Sequence, residues 1–257
     1  MREEISQQQA GPLIDAHCHL GRSPAGVMTA SQLLEHLDQN GMALAVISPG
    51  RVDDASAIPT ANDMIVEAVR AHPKRFIGFG LADPTCQADA GKELTRVLDA
   101  GLAGLKLRPG TAGFASAQRA LRSVVQVAAK RHVPVYLHSG SQLLSVVKDA
   151  VHLATEFPQL PIILSYRKSP AFEPAGEVAV KLPNLYFDTS SLPAGHIADV
   201  LHLVGEKRLI FGSGFPFGSL RVELSKAYRA VPPEAVPLVF GGNIRAVLAS
   251  CGIQVPA

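Results

Sequence analysis

Two histidines stand two residues apart in Asp15-Ala16-His17-Cys18-His19, at the end of an apolar run. On a β-strand that spacing puts both imidazoles on one face. Two neutral imidazoles so placed can ligate one divalent ion, usually zinc. A bonded structural pair is the plain alternative. His138 closes a second apolar run, Val133–His138, and precedes Ser139 and Gly140. It is the candidate third nitrogen ligand, or else it caps a helix or bonds loop backbone. Three histidines would leave zinc's fourth position for water or substrate. Asp188, at the end of Leu185–Asp188, is the candidate catalytic carboxylate. Its alternative is a bond to Ser190, Ser191 or loop amides. Lys106, Arg108, Arg167 and Arg51 fall near strand ends and could hold a substrate carboxylate or phosphate. Each alone also reads as an ordinary ion-pair or loop residue.

The elements that must position these groups are short apolar runs alternating with amphipathic stretches. The strand candidates are Pro12–Ala16, Met42–Ser48, Phe76–Ala82, Ala103–Leu107, Val133–His138, Pro161–Ser165, Leu185–Asp188 and Arg208–Gly212. Each is too short for a core helix. Helices are expected after Ser31, Thr60, Ser116 and Ser141, with Gly41 and Gly101 at C-caps. Crossovers of this length make the strands parallel, and eight such units favour a (β/α)8 TIM barrel. Strand parity then puts Leu13, Asp15, His17 and His19 on one inward face. Lys106 and Arg108, Tyr136 and His138, and Tyr186, Asp188 and Ser190 are inward likewise. The polar residues gather at the C-terminal strand ends, where barrel enzymes place their chemistry. Pro232 to Cys251 reads as closing helices, residues 1–11 as a flexible tail, and 12–257 as one barrel domain.

Composition excludes several classes. The 257 residues are 47% hydrophobic and 18% charged, which suits a large core. A net charge of +2 without a basic cluster gives no reason to expect nucleic acid or an anionic membrane. Three scattered cysteines, Cys18, Cys86 and Cys251, fit neither a disulfide framework nor a thiolate zinc site. A reducing, cytoplasmic setting is expected. Cys18 alternates with the histidines and should point into the core. No G-x-G-x-x-G follows the first strand, which argues against dinucleotide binding.

Taken in order, DAHCH, FIGFGLADP, GLKLRPG, PVYLHSG, NLYFDTSS, LIFGSGFPF and GGNIRAVL resemble the amidohydrolase superfamily. The likeness is to the amidohydrolase-2 branch, related to aminocarboxymuconate semialdehyde decarboxylase. It implies that His17, His19 and His138 bind one divalent metal ion, zinc with manganese as the alternative. Two positions depart from the family pattern. Tyr166 stands where relatives end the sixth strand in histidine, and Gly214 stands where the eighth strand carries the aspartate base. A positioned base contributes roughly two to four powers of ten in rate. Asp188 and Tyr166 are the remaining candidates to assist. In other branches of the superfamily a fourth-strand lysine is carboxylated, and Lys106 is placed for that.

The resemblance implies a metal-dependent hydrolase or decarboxylase acting on a small, carboxylated or lactone-like molecule. The alternative is a degenerate barrel that binds a ligand or partner, motivated by Tyr166 and Gly214. A third reading is a lyase using Lys106 as an amine nucleophile. The partner expected is a small-molecule substrate. A homodimer is compatible with the chain.

Overall fold

A computed structural model describes residues 12–87, 89–108, 118–138, 143–165 and 174–256. The expected tail, Ser116 and Ser141 lie outside them. In chain order the elements are β1 (Leu13–Ser23), β2 (Gly26–Met28), α1 (Ala30–Gln39), β3 (Met42–Pro49), α2 (Ile58–Ala71) and β4 (Phe76–Leu81). Then come α3 (Ala90–Asp99), β5 (Gly104–Leu107), α4 (Gln118–Lys130), β6 (Val135–His138), α5 (Leu143–Glu156) and β7 (Ile162–Ser165). The last are α6 (Pro174–Ala179), β8 (Leu185–Asp188), α7 (Ala194–Val204), β9 (Leu209–Ile210), α8 (Leu220–Ala230) and α9 (Asn243–Ser250).

Eight of the strands pair in parallel in the order β1-β3-β4-β5-β6-β7-β8-β9, with β2 antiparallel on β1. The two ends of this sheet meet. Ala16 N–H donates to Phe211 O at 3.0 Å, Gly214 N–H to His17 O at 2.8 Å, and His19 N–H to Phe215 O at 2.8 Å. Those bonds close the barrel. Both faces of the sheet are covered, which is why the strands are almost uninterruptedly apolar. One core lies between strands and helices, with Leu33, Leu37, Leu105 and Leu107 among its members. The other fills the barrel with Ile14, Leu44, Phe79, Tyr136, Ile163 and Ile210. A fully buried side chain of this size contributes about 1.5–3 kcal/mol. Among the described residues no helix is long and apolar enough to cross a membrane.

The first strand corrects the parity expectation. It pairs Asp15 with Ala45 but Cys18 with Ile47, so β1 carries one extra residue between those contacts. Such a β-bulge reverses which face the following side chains take. Ile14 and Ala16 pack inside the barrel, while Leu13, Cys18 and Leu20 join the outer core. Asp15 therefore lies on the Cys18 side rather than with the histidines. Cys18 itself is buried, as expected.

Helix starts also shift. Thr29, not Ser31, caps α1, bonding reciprocally with Gln32. Helix α2 begins at Ile58 with Pro59 in its first turn, so Thr60 is already helical. Gly41 and Gly101 do take positive φ just past helix ends.

Candidate functional site

Beyond the bulge, β1 carries His17 and His19 to the mouth of the barrel, each 3% exposed. His17 Nδ1 lies 2.9 Å from Asp188 Oδ2 and 3.0 Å from Ser190 Oγ. His19 Nδ1 lies 3.2 Å from the Pro49 carbonyl and 3.1 Å from Ser48 Oγ. A carbonyl only accepts, so His19 carries its proton on Nδ1, and the Asp188 carboxylate assigns the same tautomer to His17. Both Nε2 atoms keep their lone pairs. Oxygen partners behind the ring are what orient metal-binding histidines. Burial, reinforced by neighbouring positive groups, pushes both rings well below the ordinary histidine range. They are therefore neutral near pH 7, the form a metal requires. The His138 ring stands 5.4 Å from that of His17, centre to centre, and the His19 ring stands 4.8 Å from it.

The donor chemistry of these rings suits a divalent ion. They are not drawn together around one point, however. Among the described residues no three His, Cys, Asp or Glu side chains form a group that could hold a metal ion. Lys106 stands among them. It is 1% exposed, and its Nζ lies 3.0 Å from His17 Nε2 and 3.8 Å above the centre of the Tyr136 ring. Burial, then Arg108, lowers the lysine's pKa, and Asp188 opposes them. Lys106 was expected among substrate-binding residues; it sits deeper, against the histidine.

Asp188 accepts from the Ser190 backbone N–H and, at 3.1 Å, from Ser190 Oγ, besides facing His17. Burial raises its pKa to about 7 against those bonds and Lys106. It faces His17 and bonds Ser190, the hydrogen-bonding alternative expected for it. Gly212 makes room for it: a Cβ there would come within 2.8 Å of both Asp188 oxygens and of His17 Cβ. Gly214 differs. Its φ is +66°, and a Cβ would meet only Ser190 Cβ at 3.7 Å and His17 Nδ1 at 4.0 Å. A Cβ at the corner where the family resemblance places a carboxylate would thus make only ordinary contacts, but the left-handed φ strains any residue other than glycine.

Arg108 spends donors on the loop that follows β3. Its guanidinium binds Gly50 O at 2.8 Å and Pro49 O at 3.1 Å. It thus braces the carbonyl that holds His19. It also walls a cavity of about 200 Å³ shared with Asp53, Asp54 and Asp83. Arg51 pairs with Asp53 at the exposed rim. Tyr166 and Arg167 lie outside the described residues.

Sequence reasoning missed Asp15 and Ser213. Asp15 Oδ1 accepts from the backbone N–H of His17 at 3.0 Å and of Ser213 at 2.9 Å, and Oδ2 accepts from Ser213 Oγ. Burial raises Asp15 to about 6, opposed by these bonds. The signal was there, an acid two residues before the first histidine, but parity assigned it to the wrong face.

The architecture agrees with solved structures of low sequence identity. A 5-carboxyvanillate decarboxylase from Novosphingobium aromaticivorans, holding manganese, matches with TM-score 0.78 and 14% identity over 94% of this chain and 98% of its own. A dihydroxybenzoic acid decarboxylase from a Polaromonas species, also with bound manganese, gives 0.71 and 17% over 93% and 97%. A probable 2-pyrone-4,6-dicarboxylic acid hydrolase from Acinetobacter baumannii, with citric acid bound, gives 0.63 and 16% over 92% and 99%. Comparison with curated proteins gives no match. The amidohydrolase family model (amidohydrolase-2) matches residues 14–249, nearly the whole chain, which therefore belongs to the amidohydrolase family.

Proposed function

We propose that this chain is a metal-assisted enzyme acting on a small, carboxylated or lactone-like molecule, with His17, His19 and His138 holding one divalent ion. The observation that carries the reading is the pair of Nδ1 bonds, to Asp188 and to Pro49 O, that leaves two Nε2 lone pairs in the barrel mouth. The manganese-bound decarboxylases and the lactone-type hydrolase among its structural relatives support the class. Imidazole donors suit zinc, and manganese is the alternative. Bound there, a divalent ion would polarise a substrate oxygen or lower the pKa of water.

The protein's own groups do the rest. Asp188 fixes the His17 tautomer and is a positioning residue in this reading. Arg108 holds the His19 loop and has remaining donors for a substrate carboxylate. Tyr166 is proposed as a hydrogen-bond donor to a substrate oxygen and Arg167 as a further anion contact, both from their places after β7. With Gly214 in place of a carboxylate, turnover should be slow.

A panel of small aromatic carboxylates and lactones tests the reading. Turnover that chelation abolishes and zinc or manganese restores is the expected result. No metal-dependent turnover across the panel, together with no His17-dependent metal binding, would refute it. Glycine at position 214, where the family resemblance places a carboxylate, favours a second reading, a barrel that binds such molecules without turning them over. Binding of a panel member with no turnover, even in G214D/Y166H, would establish that one instead.

A further inference from the structure

We propose that Lys106 is the site's internal competitor for the metal. Its Nζ–H occupies the Nε2 lone pair of His17 that an ion would take, so loading requires Lys106 to leave. This rests on the metal reading above and goes beyond it.

One lone pair cannot serve two partners at once. His17 Nδ1 is engaged from behind by Asp188 and Ser190 at 2.9 and 3.0 Å, and the Asp188 carboxylate, as an acceptor, assigns the ring proton to it. Only Nε2 faces the barrel, and Lys106 Nζ stands on it at 3.0 Å. The lysine is well kept there. Tyr136 lies beneath it, with Nζ 3.8 Å from the ring centre, and that ring also packs on His17 at 4.7 Å between centres. The competition accounts for a contradiction in the site, where two rings are oriented like metal ligands and yet, among the described residues, no metal-holding group of three is assembled.

The same contact predicts how the site responds to change. A buried hydrogen bond of this kind holds the closed arrangement about tenfold or more over the open one. Apparent affinity falls by the fraction of molecules that are open. Lys106 would thus lower metal affinity by about the same factor without touching the ion. A side chain that fills the space but cannot donate, Lys106→Met, should release it.

Calorimetric titration of zinc and of manganese into wild type, K106M and H17A tests this. The expected result is a His17-dependent site in wild type that tightens about tenfold or more in K106M. Equal or weaker binding in K106M, with His17-dependent binding intact in wild type, would overturn the competition and leave the metal reading standing. No His17-dependent binding in either protein would overturn both. Should K106M fail to fold, acylation of Lys106 in wild type, followed by mass spectrometry, decides instead. Zinc should raise its labelling severalfold; unchanged or reduced labelling at saturating zinc would contradict the proposal.

Discussion

Two buried aspartates grip the same histidine from opposite sides of the first strand. Asp15 takes the backbone N–H of His17 and the N–H and hydroxyl of Ser213. Asp188 takes the His17 ring and the N–H and hydroxyl of Ser190. Both are raised by burial, to about 6 and about 7. Their jobs nonetheless differ. Asp15 ties β1 to the segment after β9 and so helps close the barrel, whereas Asp188 sets the direction and tautomer of a candidate ligand. The bulge between Asp15 and Cys18 makes the division, because it turns the strand from inside-out to outside-in just before the site. Nearly identical hydrogen-bonding chemistry becomes structural or functional according to the face it meets.

Breaking the clasp should cost the most stability. Asp15→Ala strands three buried donors, each costing about 1–3 kcal/mol when left unmade. We expect a loss of about 3 kcal/mol or more in denaturant unfolding. A loss below about 1 kcal/mol would mean that the clasp does not hold the barrel shut. Asp188→Asn should show the opposite balance. Removing a partner behind a metal-binding histidine lowers metal affinity about 10- to 100-fold. Calorimetry should find that loss with a smaller fall in stability than in D15A; unchanged affinity would remove Asp188 from the site's machinery.

Gly212→Ala sharpens the comparison, since its new methyl meets both Asp188 and His17 and leaves Asp15 untouched. Overpacking of this kind costs about 1–3 kcal/mol. The prediction is weakened metal binding together with that loss, read by the same two methods. Ser213→Ala is the mildest change. It deletes the hydroxyl's bond to Asp15 and the acceptor of the Phe215 N–H at 3.0 Å while sparing the backbone bond, so about 1–2 kcal/mol should go and metal affinity should hold. A large change in affinity would show that the two sides of β1 are not independent.

Much of this was legible in the sequence because barrel strands are buried on both faces and stand out as apolar runs. His138 and Asp188 end their strands and Lys106 stands one residue from the end of its own, while His17 and His19 follow the apolar start of β1, which runs on to Ser23. The bulge was not legible, since one extra residue in an apolar strand leaves no mark on hydrophobic pattern, and Asp15 was misplaced by that one step. The start of α1 was misread for a related reason: Thr29 and Ser31 are both good caps, and the Gln32 side chain decides between them. The bond from Lys106 to His17 joins residues 89 apart and depends on the barrel's closure, which parity alone does not supply.

The central claim is that the histidines at the barrel mouth form a metal site. Calorimetric titration of zinc into the wild type and into a His17→Ala/His19→Ala double variant tests it most directly. The account predicts one site per chain in the wild type and none in the double variant. No site in the wild type, or one that survives the loss of both histidines, would contradict it.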